Sequence, residues 1–172
     1  MRHSELKKIS SKRDWIRLGV KLILLAVIFW IILGVLFGVK RIEGLAMSPR
    51  LSDGDLSLFY RSNEELATGD VVLFSKNGKQ FISRIVAVEG DVISLDEYGR
   101  MSVNGQQLSD SSAYDMSPGA TIEMSYPIRI QPGVYFVVND NLESDDDSRT
   151  LGLIEKKEIY GKVISALRTR DI

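Results

Sequence analysis

The rhythm of hydrophobic and polar positions changes once along this chain. From Leu22 to Val39 the sequence LILLAVIFWIILGVLFGV carries no charge. At a rise of about 1.5 Å per residue, this run with the flanking Leu18, Gly19 and Val20 makes a helix of roughly 30 Å, the thickness of a bilayer's hydrocarbon core. A cleaved signal peptide would have a shorter apolar region, about 7 to 15 residues, ahead of a small-residue cleavage site. Here the run is longer and Lys40 and Arg41 follow it, so an uncleaved anchor is expected. A core helix of a soluble domain would show a polar face, and this stretch has none.

Beyond Val39 the period is that of strands. Runs rich in Val, Ile, Phe and Tyr recur between turn signals at 56–60, 70–75, 80–88, 91–96, 101–103, 133–138 and 158–167. Asn77-Gly78, between two of them, predicts a hairpin, because a type I′ turn needs positive φ at both central residues. Gly90-Asp91 and Pro132-Gly133 predict further reversals. Residues 107–127 are polar and poor in strand formers, so they are expected to run over the surface. The expected fold is mainly β: antiparallel sheets following one N-terminal transmembrane helix. It divides into a basic N-terminus (1–21), the transmembrane helix (22–39) and a β domain (40–172).

Charge adds a direction. The 172 residues sum to a net charge of −1, which suggests no nucleic-acid partner. Yet Arg2, Lys7, Lys8, Lys12, Arg13, Arg17 and Lys21 precede the apolar run against only Glu5 and Asp14. Cations on that side predict a single-pass cell-membrane protein with a cytoplasmic N-terminus and an extracellular domain 40–172. No cysteine is present, which excludes disulfides and a thiol nucleophile and fits many Gram-positive exported proteins. The only histidine is His3, so the exported domain holds neither a Ser-His-Asp triad nor a His-ligated metal. No cofactor or metal is expected; the acidic run near Asp145 lacks the glycine and glutamate that a calcium loop needs.

Four segments carry candidate chemistry, in this order. GLAMSPRL (44–51) follows the anchor, then Gly69-Asp70-Val71-Val72. Next, Ser83-Arg84-Ile85-Val86 runs into Gly90-Asp91, and NDNLESDDDSRTLG occupies 139–152. Each alone is weak, because Gly-Asp turns are common. Together, after an anchor, they resemble the type I signal peptidase family, membrane-anchored serine proteases that remove signal peptides from secreted proteins. The family's counterparts read G-x-S-M-x-P-x-L, K-R-V-I-x-x-x-G-D and G-D-N-R-x-x-S-x-D-S-R-x-x-G.

The departures matter more than the matches. The family's chemistry needs a serine hydroxyl whose proton is taken by a lysine kept neutral by burial. The resemblance sets Ala46 at the nucleophile's position, Ser83 at the base's, and Asp145 where a serine supports that lysine. Ala46 has no oxygen, and Ser83 cannot replace an amine. Neighbouring Arg84 stays charged. Ser48, directly before Pro49, lacks an activating histidine, and Lys79 lies four strand residues, about 13 Å, from Ser83. An engineered Ser→Ala change would explain Ala46 alone; a natural loss of catalysis explains Ala46, Ser83 and Asp145 together. Met47, Pro49, Arg84, Asp147, Ser148 and Arg149 remain as cleft and scaffold, and in the family Arg84 and the D-S-R residues hold strands together by ion pairing. Asp145 and Asp146 also read as a solvated acidic loop, and Met47 as a core or membrane-facing residue with a lipid contact as its specific expectation.

The resemblance implies a non-catalytic signal-peptidase-like protein of the kind associated with Gram-positive pilus assembly. It would act as a chaperone that grips pilin subunits, a sortase or both through extended-strand pairing. Signal peptidase I in an inactivated form is the alternative reading, and a membrane-anchored β module with an unrelated ligand is the third.

Overall fold

The computed structural model describes residues 2–62, 65–97, 100–108, 124–141, 144 and 146–168, with backbone alone for 2–11. Asp145 and most of the 107–127 stretch therefore lie outside the described residues. The chain separates into two compact units, Met1–Phe37 and Gly38–Ile172.

The first unit is one helix, α1 (Arg2–Leu36). Its 35 residues make about 52 Å at the standard rise, well over the thickness of a hydrocarbon core. The portion Lys12–Leu36 is long and apolar enough to cross a membrane, and none of the described residues buries it. Ile23, Phe29 and Trp30 all stand exposed. A helix of this length that is apolar all round is suited to lipid and to the role of a membrane anchor. The helix runs back through the basic stretch, and its helical part stops at Leu36 rather than at Val39. Phe37–Arg41 is instead the first strand, β1. An unbroken apolar run has no period to separate helix from buried strand. Gly38 makes the difference, since a Cβ there would collide with the ring of Phe59.

The second unit is built from strands. They are β2 (Leu56–Tyr60), β3 (Val71–Lys76), β4 (Lys79–Ala87), β5 (Val92–Leu95), β6 (Met101–Val103), β7 (Gln106–Gln107), β8 (Ile128–Arg129), β9 (Val134–Val138), β10 (Ile154–Glu155) and β11 (Ile159–Leu167), with a short helix α2 (Ser148–Leu151) after β9. Seven strands form one sheet in the order β1-β2-β11-β3-β4-β9-β10, and four form another in the order β7-β6-β5-β8. The β2–β11, β11–β3, β3–β4, β4–β9 and β9–β10 pairings are all antiparallel, as expected for the mainly β fold. β7, β8 and β10, two residues each, are additions to the strands anticipated from the pattern.

Two turn devices set the registers. Asn77 (φ 53°) and Gly78 (φ 78°) close the β3–β4 hairpin with Lys76 opposite Lys79, as Asn-Gly predicts. The three Gly-Asp pairs share a second device. Gly54, Gly69 and Gly90 have φ of 87°, 95° and 90°, and the N–H groups of Asp55, Asp70 and Asp91 donate to the carbonyls of Ser52, Ala67 and Val88 at 3.1, 3.1 and 3.0 Å. Each aspartate side chain then accepts from the N–H of that same residue, at 2.9, 3.0 and 2.9 Å. A positive φ at the third turn position requires glycine, and the aspartate fixes the turn from within.

β9 is buried on both faces and reads accordingly as a continuous apolar run. Tyr135 and Val137 join Val72, Phe74, Ile85, Ile154 and Ile159 in one cluster. Phe136 and Val138 join Val86, Ala87, Ile93, Met101 and Ile130 in the other. Each Val, Ile, Phe or Met side chain so buried contributes about 1.5–3 kcal/mol, and the β4–β9 pair is held from both sides. Its C-terminal continuation, 139–149, is thereby delivered to the region described next.

Candidate functional site

A groove of about 550 Å³ opens in the second unit. Its walls are β1 and the loop to Met47, the tip of the β3–β4 hairpin, and the segment after β9, which contributes Ser144 and Asp146. The loop is tied down by its backbone: Ile42 N–H donates to Asp55 O at 2.8 Å, Gly54 N–H to Ile42 O at 2.9 Å, and Gly44 N–H to the Asp53 carboxylate at 2.8 Å. Asn141 N–H reaches Ala46 O at 2.9 Å, which links this loop to the continuation of β9. Ala46 is half-buried and lines the groove with a methyl.

Met47 also contributes to the lining but is 1% exposed. The expected lipid contact is corrected: its thioether chain fills the interior, and the exposed apolar neighbour is Leu45. A run as short as Leu45-Ala46-Met47 has no period that says which member points inward. Pro49 is exposed.

Ser83 does not join Ala46 in the groove lining. It sits on β4 opposite Val72, is 0% exposed, and donates its hydroxyl to Asn139 Oδ1 at 2.6 Å. The direction follows from the other end of the amide. Asn139 Nδ2 lies 3.3 Å from Ser144 O, a carbonyl that can only accept, and 3.2 Å from Ser144 Oγ. The amide nitrogen must therefore face Ser144, its oxygen faces Ser83, and Ser83 must be the donor. Among the described residues no amine takes part in this chain. Asn139 stands where the family motif has glycine. That substitution is the signal by which sequence could have found it, and its pairing with Ser83 across 56 positions leaves no local trace.

Two ion pairs lie beside this chain of hydrogen bonds. Arg84 grips Asp140 with Nε at 2.8 Å and a terminal nitrogen at 2.6 Å, and its other terminal nitrogen donates to Gly69 O at 2.7 Å. Arg50, largely exposed, adds a longer contact to Asp140 at 3.6 Å. Asp147 and Arg149 form the second pair, 0% and 3% exposed, at 2.8 Å. Asp147 also accepts from the N–H groups of Asn139 and Arg149, both at 2.9 Å, and Arg149 donates to Ser144 O at 2.7 Å. Ser148 accepts from Val137 N–H at 2.9 Å. Burial, and then the negative charge of Asp147, push the Tyr126 phenol above its ordinary value. Asp146 is exposed.

The chemistry this allows is narrow. Ser144 is a hydroxyl in the groove lining, and Lys40 and Lys79 are its amines. Among the described residues no hydrogen bond joins Ser144 to either lysine, and no cluster of three or more metal-ligating side chains occurs. Lys76, at the end of β3, pairs with Glu158 at 2.8 Å and donates to Leu153 O at 3.1 Å.

Comparison with known proteins gives a consistent result. The model of the family described as signal peptidase, peptidase S26, matches residues 13–167. Signal peptidase I of Bacillus licheniformis is 28% identical over 168 residues, covering 90% of each chain. Signal peptidase I V of Bacillus subtilis (strain 168) is 27% identical over 169 residues, covering 90% of this chain and 98% of that one. Among solved structures, a signal peptidase I from Enterococcus faecalis V583 shares 24% identity, with a TM-score of 0.46 and coverage of 60% of this chain and 100% of that one.

Proposed function

The chain belongs to the signal peptidase family, peptidase S26, and from that premise we propose that it is a member without peptidase activity, whose groove grips an extended, membrane-tethered polypeptide. The partner we assign is a pilin subunit or the sortase that joins pilins, with the protein acting as an assembly chaperone of the cell surface, its N-terminus cytoplasmic and its second unit outside. One observation carries the loss of catalysis: Ser83, at the position the resemblance gives to the base, is sealed in a neutral hydroxyl–amide bond with Asn139. A serine nucleophile needs an activating group within hydrogen-bond reach, and at Ala46 there is no hydroxyl to activate. Strand pairing with a guest chain uses backbone donors and acceptors and requires neither.

The relatives' own name favours a second reading, that this chain too removes signal peptides. The two part in one assay. Purified full-length protein in detergent is incubated with a labelled pilin precursor and a labelled signal-peptide-bearing preprotein, with the variants Ala46→Ser, Ala46→Ser/Ser83→Lys and the triple variant that adds Asn139→Gly. We expect no cleavage by the natural chain or by Ala46→Ser, cross-linking of the pilin precursor to the groove, and any regained cleavage only in the triple variant, where the glycine makes room for the lysine. Cleavage by the natural chain ends the proposal.

A further inference from the structure

The Ser83–Asn139–Ser144 chain points one way. Ser83 gives its proton to Asn139 Oδ1, and the two protons of Asn139 Nδ2 go to the carbonyl and the hydroxyl oxygen of Ser144. Ser144 Oγ is thus an acceptor within the protein and keeps its own proton, for which no acceptor stands among the described residues. Its backbone is fixed by Arg149, donating to its carbonyl at 2.7 Å, and by its own N–H donating to Asn141 O at 3.3 Å. Ser144 also lines the groove. Donors aligned in series polarise one another, so the last hydroxyl is a strengthened donor on a residue of the groove lining.

We propose that Ser144 Oγ is a recognition donor, giving a hydrogen bond to a main-chain carbonyl of the extended chain that occupies the groove, with Asn139 and Ser83 as positioning residues behind it. This rests on the reading of the groove as a polypeptide cleft and adds which atom reads the guest. The neutral relay suits an uncharged acceptor. A peptide carbonyl is accepted whatever its side chain, so the contact sets the depth and register of the guest without selecting its sequence.

The test uses the full-length protein in detergent and a fluorescein-labelled ten-residue alanine-rich peptide, together with a set of esters in which one amide of the peptide at a time is replaced. Each ester weakens one carbonyl acceptor and removes one N–H donor, so any strand-paired position is sensitive; the ester whose carbonyl meets Ser144 Oγ should bind about three- to tenfold more weakly, the worth of one hydrogen bond, and its loss alone should depend on the Ser144 hydroxyl. Ser144→Ala should weaken the parent peptide by a similar factor and erase the sensitivity to that ester, whereas Ser144→Thr, which keeps the hydroxyl, should restore both. A merely structural serine would not link the ester position to the variant. Ala46→Trp, which fills the groove, tests the underlying reading separately. If Ala46→Trp abolishes binding while Ser144→Ala binds like the natural chain, the cleft stands and the donor assignment is wrong. If Ala46→Trp leaves binding unchanged, the cleft reading and this inference both fall. The ester series on the natural chain needs no variant, so an unfolded Ser144→Ala does not protect the claim: equal binding of every ester overturns it.

Discussion

Replacing Arg149 by methionine should be among the most damaging single changes available near the groove. Asp147 is fully buried and receives Arg149 Nε at 2.9 and 3.1 Å and a terminal nitrogen at 2.8 Å. Arg149→Met removes all three and leaves the carboxylate, among the described residues, with only the N–H groups of Asn139 and Arg149. Breaking one side of a buried pair costs about 3–5 kcal/mol, because the survivor is an uncompensated buried charge. The lost bond to Ser144 O keeps the cost within this range even though the two backbone donors still help. Whole domains of this kind hold about 5–15 kcal/mol, so the change removes about a fifth of the margin or more. Urea titration of the full-length protein in detergent, followed by circular dichroism in the β region, measures it, with Asp147→Leu and the double variant completing a cycle. The double variant should be less damaged than the sum of the two single changes, since two apolar side chains leave no stranded charge. A loss below about 1 kcal/mol for Arg149→Met, or strict additivity in the cycle, refutes the argument.

Three shorter expectations follow from other parts of the second unit. Gly161 on β11 faces the backbone of β2, and a Cβ there would strike the carbonyl of Tyr60; Gly161→Ala should cost at least about 1–3 kcal/mol in the same titration, and an unaffected midpoint would show that the strands slide apart freely. The Glu158 carboxyl is pushed up by burial, but the hydrogen bonds from Lys76 and from Glu155 N–H and the charges of Lys76 and Lys157 outweigh this and hold it below the ordinary glutamate value. Its ionised form therefore stabilises the fold above the ordinary range, and that contribution is lost as the pH falls through the lowered value. The gap between the natural chain and Glu158→Gln should accordingly be widest at neutral pH and close on acidification, and a gap independent of pH would remove Glu158 from the acid sensitivity. Gly38→Ala should likewise destabilise the β1–β2 pairing by forcing the Phe59 ring aside, and hydrogen exchange at Ile42 and Gly54 reads the loss, with unchanged protection as the contrary result.

What the sequence reveals and what it conceals divide along physical lines. The hairpin at Asn77-Gly78 and the Gly-Asp turns are legible because each demands a positive φ at a fixed place. β2, β6 and β11 are legible because their composition and their flanking turns agree. β1 is hidden because Phe37, Gly38 and Val39 continue the anchor's apolar run without a break. β7, β8 and β10 are too short to show a period. At the site, motif order alone picks out the loop of Ala46 and the residues Asp147 and Arg149. Met47 takes the core rather than the lipid contact, and Asn139, Asp140 and Ser144 gain meaning only when β4 and β9 lie side by side. Their contacts are made across the sheet, where no local rhythm records them.

The bond between Ser83 and Asn139 makes two distant positions one unit of packing. A bulkier amine at 83 would be pressed against the amide in a closed interior, and a glycine at 139 would take away the oxygen that receives the Ser83 proton. A change at either position is therefore felt at the other, and their substitutions should be strongly coupled.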